Sequence, residues 1–168
     1  VLEFIRGQAT TFDLLTFLVA VLSAITVHEF AHAVRAWQAG DPTPGRQGRL
    51  TLNPIAHYDP VGTTMILVMG MGWGRPVMTR PETHKHPRRD GLMISLWGPL
   101  ANILLAIAVL LILRFIPIPW KPWPDLASGI VQWNLFLAFF NLIPIAPLDG
   151  SKVLSSLLPV KQAVSYDR

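Results

Sequence analysis

The sequence predicts an all-α membrane protein. Three transmembrane helices would form its core, with a re-entrant or interfacial loop or hairpin and a short apolar segment between the first and second spans. Three observations predict this. Hydrophobic residues make up 51% of the 168 and charged residues only 14%, a balance skewed away from soluble domains. Three apolar runs are long enough for the roughly 20 helical residues that cross a bilayer. The basic residues are distributed unevenly between the segments that separate those runs.

The first run extends from Phe12 to about Ala39 and stops at "QAGDPTPG", a Gly/Asp/Pro terminator. After it, "GDPTPGRQGRLTLNPIAHYDP" has turn residues at both ends around "RLTL", which predicts a short hairpin or loop against the membrane's inner surface. "VGTTMILVMGMGWG", residues 61–74, is short and Gly-rich, and runs of that length are re-entrant or interfacial more often than spanning. The second span covers Leu92 to Ile116 and the third Leu126 to Ile145. Between them, the Pro-rich "RFIPIPWKPWPD" carries Trp120 and Trp123 and resembles an interfacial aromatic anchor.

Three crossings put residues 35–91 and 146–168 on one side of the bilayer. That side then holds Arg35, Arg46, Arg49, Arg75, Arg80, Lys85, Arg88, Arg89, Lys152, Lys161 and Arg168, against Arg6, Arg114 and Lys121 opposite. The positive-inside rule assigns the rich side to the cytoplasm. A fourth crossing at 61–74 would move "RPVMTRPETHKHPRR" outside and spoil the bias. Residues 1–168 are therefore expected to form one membrane domain, with no room among them for an appended soluble domain. No signal peptide is expected, because the first apolar run follows Glu3 and Asp13 and has no small-residue cleavage site behind it. The absence of cysteine excludes disulfides and thiolate metal sites, and no nucleic-acid partner is expected.

Inside the first span lies "HEFAH". His28 and His32, four residues apart on a helix, share a face about one turn apart. That spacing lets two imidazoles bind one Zn²⁺, while Glu29 is placed to take a proton from metal-bound water. On a soluble helix such residues could simply face water. Within a membrane span, ionisable groups are expensive and mark function. A catalytic zinc needs a third protein ligand, which must reach the inner half of the bilayer. Asp90 opens the second span, but it follows Arg88 and Arg89 and suits a solvated helix cap. Asp149 follows the third span in "NLIPIAPLDG", where Pro144 and Pro147 interrupt the helix and Gly150 allows a sharp turn. Broken backbone at membrane depth is tolerated where it lines a cavity. Asp149 is thus either the third ligand or the N-cap of a short helix running to Leu158.

These motifs, in this order, resemble the site-2 protease family of intramembrane zinc metalloproteases, in its bacterial form without PDZ or CBS domains. The resemblance rests on "HEFAH" at 28–32, "GPLAN" at 98–102 and "NLIPIAPLDG" at 141–150, supported by "GRLTLNPIAHYDPVGT" and "GWGRPV". It implies a three-helix transmembrane catalytic core and one Zn²⁺ per chain held by His28, His32 and Asp149. It also implies Glu29 as general base and Asn141 as a hydrogen-bond donor near the reacting carbonyl. The expected substrate is a transmembrane segment of another protein, cut toward the cytoplasmic side of a bacterial inner membrane. Relatives with this pattern usually continue into a further apolar helix after "LDG", so a C-terminal helix is expected to be missing. After "GRPV" the chain departs from the pattern with "MTRPETHKH".

The other polar residues carry plainer expectations. His84 and His86 are expected in a solvated basic loop facing anionic headgroups, metal binding being the minor alternative. His57 and Asp59 lie in the inner loop close to the inferred site and either contact substrate or, as the leading expectation, stabilise turns, Asn53–Pro54 and Asp59–Pro60 being turn starters. Asn102 faces the bundle, where an amide finds a partner across helices, and Gly98 and Pro99 permit close helix approach or a kink. The rival to a peptidase is a catalytically silent membrane scaffold that binds zinc or a helical partner, although Glu29 is intact.

Overall fold

A computed structural model of the chain describes residue 7, residues 10–69 and residues 72–166. Three long helices dominate it: α1 (Thr11–Gln38), α4 (Pro87–Phe115) and α5 (Trp123–Asn141). Thr10 opens α1 with a reciprocal cap, its hydroxyl accepting the Asp13 amide at 3.2 Å while Asp13 Oδ2 accepts the Thr10 amide at 2.7 Å. Proline occupies the first turn of both α4 and α5, where its missing N–H costs nothing. The polar first turns "PRRD" and "WPD" belong to these helices, which therefore begin before the apolar runs at Leu92 and Leu126.

Each long helix packs against the other two. Small residues permit the approach: Ala20, Ala24, Ala106, Ala127 and Ala138 are fully or almost fully buried, and Gly129 of α5 faces Thr16 and Ala20 of α1. By length and composition, α1 and α4 can each cross a membrane. Their outer faces, with that of α5, expose Leu104, Leu111, Phe136 and Phe139 among other large apolar side chains.

The connection between α1 and α4 contains α2 (Thr43–Arg46), a 3₁₀ turn at Pro54–His57, α3 (Pro60–Met69) and a 3₁₀ turn at Pro81–Thr83. No strand occurs among the described residues, so the hairpin alternative around "RLTL" is not realised. Asn53 caps the Ile55 amide at 3.1 Å and starts the 3₁₀ turn. The buried Arg49 side chain ties the loop to the next segment through the carbonyls of Ala56 and Arg75. Gly72 and Trp73 lie back against the first turn of α3. A β-carbon on Gly62 would run into Trp73, and one on Gly72 into the Gly62 carbonyl. Residues 70–71, inside the apolar segment expected at 61–74, lie outside the described residues.

After α5 come α6 (Asp149–Leu157), which packs on α4, and α7 (Val160–Tyr166), which packs on α6. Helix α5 stops at Asn141, four residues short of the apolar limit at Ile145. The amides of Leu142 and Ile143 turn to the carbonyls of Phe139 and Phe140, tightening the last turn before Pro144.

Candidate metal centre

His28 and His32 stack one turn apart on α1, their rings edge to face with centroids 4.6 Å apart. Their Nε2 atoms approach to 3.0 Å. Asp149 Oδ2 lies 3.0 Å from the first and 2.9 Å from the second. All three residues are buried. Asp149 reaches them because α6 begins hard against the end of α5, where a β-carbon on Gly150 would collide with the Leu142 carbonyl. The N-cap alternative for Asp149 does not hold. Leu148 is the N-cap, no side chain caps that end, and Asp149 is the first helical residue. Its second oxygen faces Lys152 Nζ at 3.4 Å.

The protons decide what this cluster can do. His32 Nδ1 lies 2.7 Å from the Ile94 carbonyl, which only accepts, so Nδ1 carries the proton and Nε2 is left with a lone pair. His28 Nδ1 is 2.7 Å from Asn102 Oδ1, again an acceptor, and its Nε2 is freed likewise. An ionised carboxylate only accepts. With both rings neutral, three buried acceptors thus converge with no donor among them, an arrangement that a cation resolves. Donors about 2.0–2.1 Å from a tetrahedral zinc lie about 3.3 Å from one another, close to the 2.9–3.0 Å separations found here. Among the described residues this is the one group of three or more suited to hold a metal ion.

Glu29 Oε2 accepts the Val77 amide at 3.0 Å, which joins α1 to the non-helical segment 72–80. Asn141 donates from Nδ2 to the Leu137 carbonyl of its own helix at 3.0 Å. Two cavities meet at this centre. One of about 410 Å³ is walled mainly by apolar side chains, among them Ile25, Ile66, Trp73, Trp133 and Phe140. The other, about 490 Å³, is edged by Thr79, His84, Asp149, Lys152 and Ser155. His28, Glu29 and Asn141 line both.

Two other polar residues, His84 and Asp90, differ from their sequence expectations. His84 is buried rather than solvated, with Nε2 3.9 Å from Asp41 Oδ2. It is drawn in because its loop docks on the end of α1: the Arg80 amide donates to Asp41 and the Lys85 amide to the Ala39 carbonyl. Asp90 is not a solvated cap. It accepts the His86 amide at 2.9 Å but is buried and paired with Arg35 at 3.1 Å. His57 and Asp59 do hold turns, His57 Nε2 bonding the Thr51 carbonyl at 2.9 Å and Asp59 the Gly62 amide at 2.7 Å. Asn102 is fully buried in the bundle, as its position predicts, and donates to Ala24 O and to Asn134 Oδ1. Asn134 was missed by sequence reasoning. An amide in the apolar "WNLFLAFF" run was the available signal.

Among curated proteins, the chain is 40% identical over 163 residues to "Putative zinc metalloprotease YwhC" of Bacillus subtilis, covering 89% of this chain and 74% of that protein. Two further relatives carry the same zinc metalloprotease description. Rip2 of Mycolicibacterium smegmatis is 32% identical over 84% of this chain, which spans 60% of Rip2's length. MJ0611 of Methanocaldococcus jannaschii is 33% identical over 85% of this chain and 72% of its own. No family model and no solved structure matches.

Proposed function

The chain belongs to the zinc metalloprotease family represented by YwhC and MJ0611, and we propose that within it this protein is an intramembrane endopeptidase of the site-2 protease type. One observation carries the proposal: the three acceptors of His28, His32 and Asp149 converge beside Glu29, where an apolar cavity meets a polar one. His28, His32 and Asp149 are the ligands for one Zn²⁺. When bound, the ion supplies Lewis acidity, polarising a carbonyl and bringing the pKa of water near neutrality. Glu29 accepts the proton of the attacking water and returns it to the leaving amine. Asn141, at the junction of the cavities, donates to the reacting carbonyl once its amide leaves the Leu137 carbonyl.

The substrate is a transmembrane segment of another protein. It enters from the side of the apolar cavity, whose Trp133, Phe136 and Phe140 belong to α5. There a stretch of it unwinds and lies along the non-helical chain of residues 72–80 as an added strand. Water and charged product ends use the polar cavity beside Lys152. The third helix, 19 residues long, spans the bilayer with α1 and α4. Three features support this setting: the apolar outer faces, the packing of Gly72 and Trp73 against Gly62 of α3, and the basic residues gathered at 35–91 and 146–168. They favour an inner bacterial membrane with the centre toward the cytoplasm.

Two variants of the membrane-extracted protein test this. Glu29→Gln is expected to keep one zinc per chain and lose cleavage of membrane proteins that accumulate in its presence. Asp149→Ala is expected to lose the zinc. Unchanged cleavage by Glu29→Gln, or full zinc retention by Asp149→Ala, would refute the assignment.

A further inference from the structure

We propose that Asn134, which touches neither the metal ligands nor either cavity, is a positioning residue for the metal centre. It acts through Asn102 to fix which nitrogen of His28 carries the proton. The inference rests on the zinc-site reading above and extends it to a third helix.

An amide side chain presents an acceptor on one side and two donors on the other, and either side can face a neighbour. Asn102 shows its oxygen to His28 Nδ1 at 2.7 Å. The opposite end of the side chain fixes that choice. Asn102 Nδ2 donates to the Ala24 carbonyl at 2.9 Å and to Asn134 Oδ1 at 2.8 Å. Asn134 presents its oxygen because its own Nδ2 donates to the Ile130 carbonyl at 2.8 Å. The order therefore starts at a backbone carbonyl of α5, which can only accept. It passes through Asn134 and Asn102 of α4 and ends at an Nδ1–H on His28 of α1. Reversing any member would face two donors, or two acceptors, in a region where both asparagines are fully buried. With Nδ1 protonated, Nε2 keeps the lone pair that a metal requires. Partners of this kind orient ligating histidines and tune their basicity.

The full chain, purified from membranes, gives the test. Zinc affinity is measured by competition with a chelator, and the electronic spectrum of Co²⁺ substituted for zinc reports ligand geometry. Asn134→Leu removes the acceptor. Asn134→Asp keeps it, because desolvation holds the buried carboxyl neutral, its carbonyl accepting from Asn102 and its hydroxyl donating to Ile130. Asn134→Leu is expected to weaken zinc about 10- to 100-fold and to shift the Co²⁺ bands, while Asn134→Asp stays near wild type in both. Thermal unfolding of the zinc-free protein separates loss of fold from loss of the ligand, and Asn134→Ala replaces the leucine variant if that does not fold. Equal zinc affinity and an identical Co²⁺ spectrum in wild type and Asn134→Leu would overturn the proposal. So would equal weakening by Leu and Asp, which would make Asn134 a packing residue. Wild type that binds no zinc would refute the zinc reading itself, before any substitution at Asn134 is compared.

Discussion

Gly98 of α4 lies directly behind His28 and His32: a β-carbon built on it would sit 2.5 Å from His32 Nε2 and 2.8 Å from His28 Cε1. Both imidazoles thus rest against helix backbone where any side chain would intrude. Neither can retreat freely, since His32 is tied to Ile94 O and His28 to Asn102.

Gly98→Ala therefore acts on the centre more than on the fold. Alanine favours a helix interior by about 1 kcal/mol over glycine, so α4 itself is not weakened. The new methyl displaces His32 Nε2 from its partners. We expect zinc affinity and proteolysis to fall at least about tenfold, on the scale of lost ligand orientation, with secondary structure unchanged by circular dichroism. A Gly98→Ala protein with wild-type zinc affinity would contradict the close packing.

The centre was legible in the sequence to the extent that its parts were local. His28, Glu29 and His32 share one helix turn, so spacing alone placed them together. Asp149 was foreshadowed by the prolines and glycine that interrupt the backbone around it, although whether it caps its helix or faces the histidines needed the direction of its side chain. Asn134 was not legible. Its partner lies 32 residues away on another helix, and nothing in "WNLFLAFF" distinguishes an amide that serves the site from one that merely joins helices. The burial of His84 escaped for a related reason. Loop polarity suggests solvent, while burial here follows from backbone bonds to Ala39 and Asp41 that no short-range pattern encodes. Helix starts fell inside polar turns because an apolar count sees only the part of a helix that faces oil.

The Arg35–Asp90 pair predicts a stability effect away from the chemistry. It joins the last turn of α1 to the first of α4 at 3.1 Å, with side chains only 16% and 8% exposed. Removing one member of such a pair leaves the other without its partner in a site shielded from water. Arg35→Met is expected to lower the unfolding midpoint markedly. Adding Asp90→Asn, which keeps the bond to the His86 amide but drops the charge, should recover most of the loss. A double-mutant cycle with no coupling would show that the pair is insulated by solvent.

Asp41 predicts how acid affects the loop that walls the polar cavity. Burial pushes its carboxyl up, but hydrogen bonds from Thr43 and from the Arg80 amide, with the nearby His84, outweigh this and hold it below the ordinary carboxylate value. A group whose folded pKa is depressed contributes stability that is fully present above its unfolded value, about 3.9. That contribution fades as pH falls through the lower folded value. Near neutrality the loop at 80–85 should therefore stay docked on the end of α1, and only below about pH 4 should protonation of Asp41 weaken its hold on the Arg80 amide. Amide exchange at Arg80 and Thr43, followed from pH 6 to pH 3 and corrected for intrinsic rates, should show protection lost at the acid end. In Asp41→Asn the same amides should be less protected throughout and lack that acid step, because no carboxylate remains to titrate. Protection that falls between pH 6 and pH 5, well above the carboxylate range, would assign the docking to another group and remove Asp41 from the role.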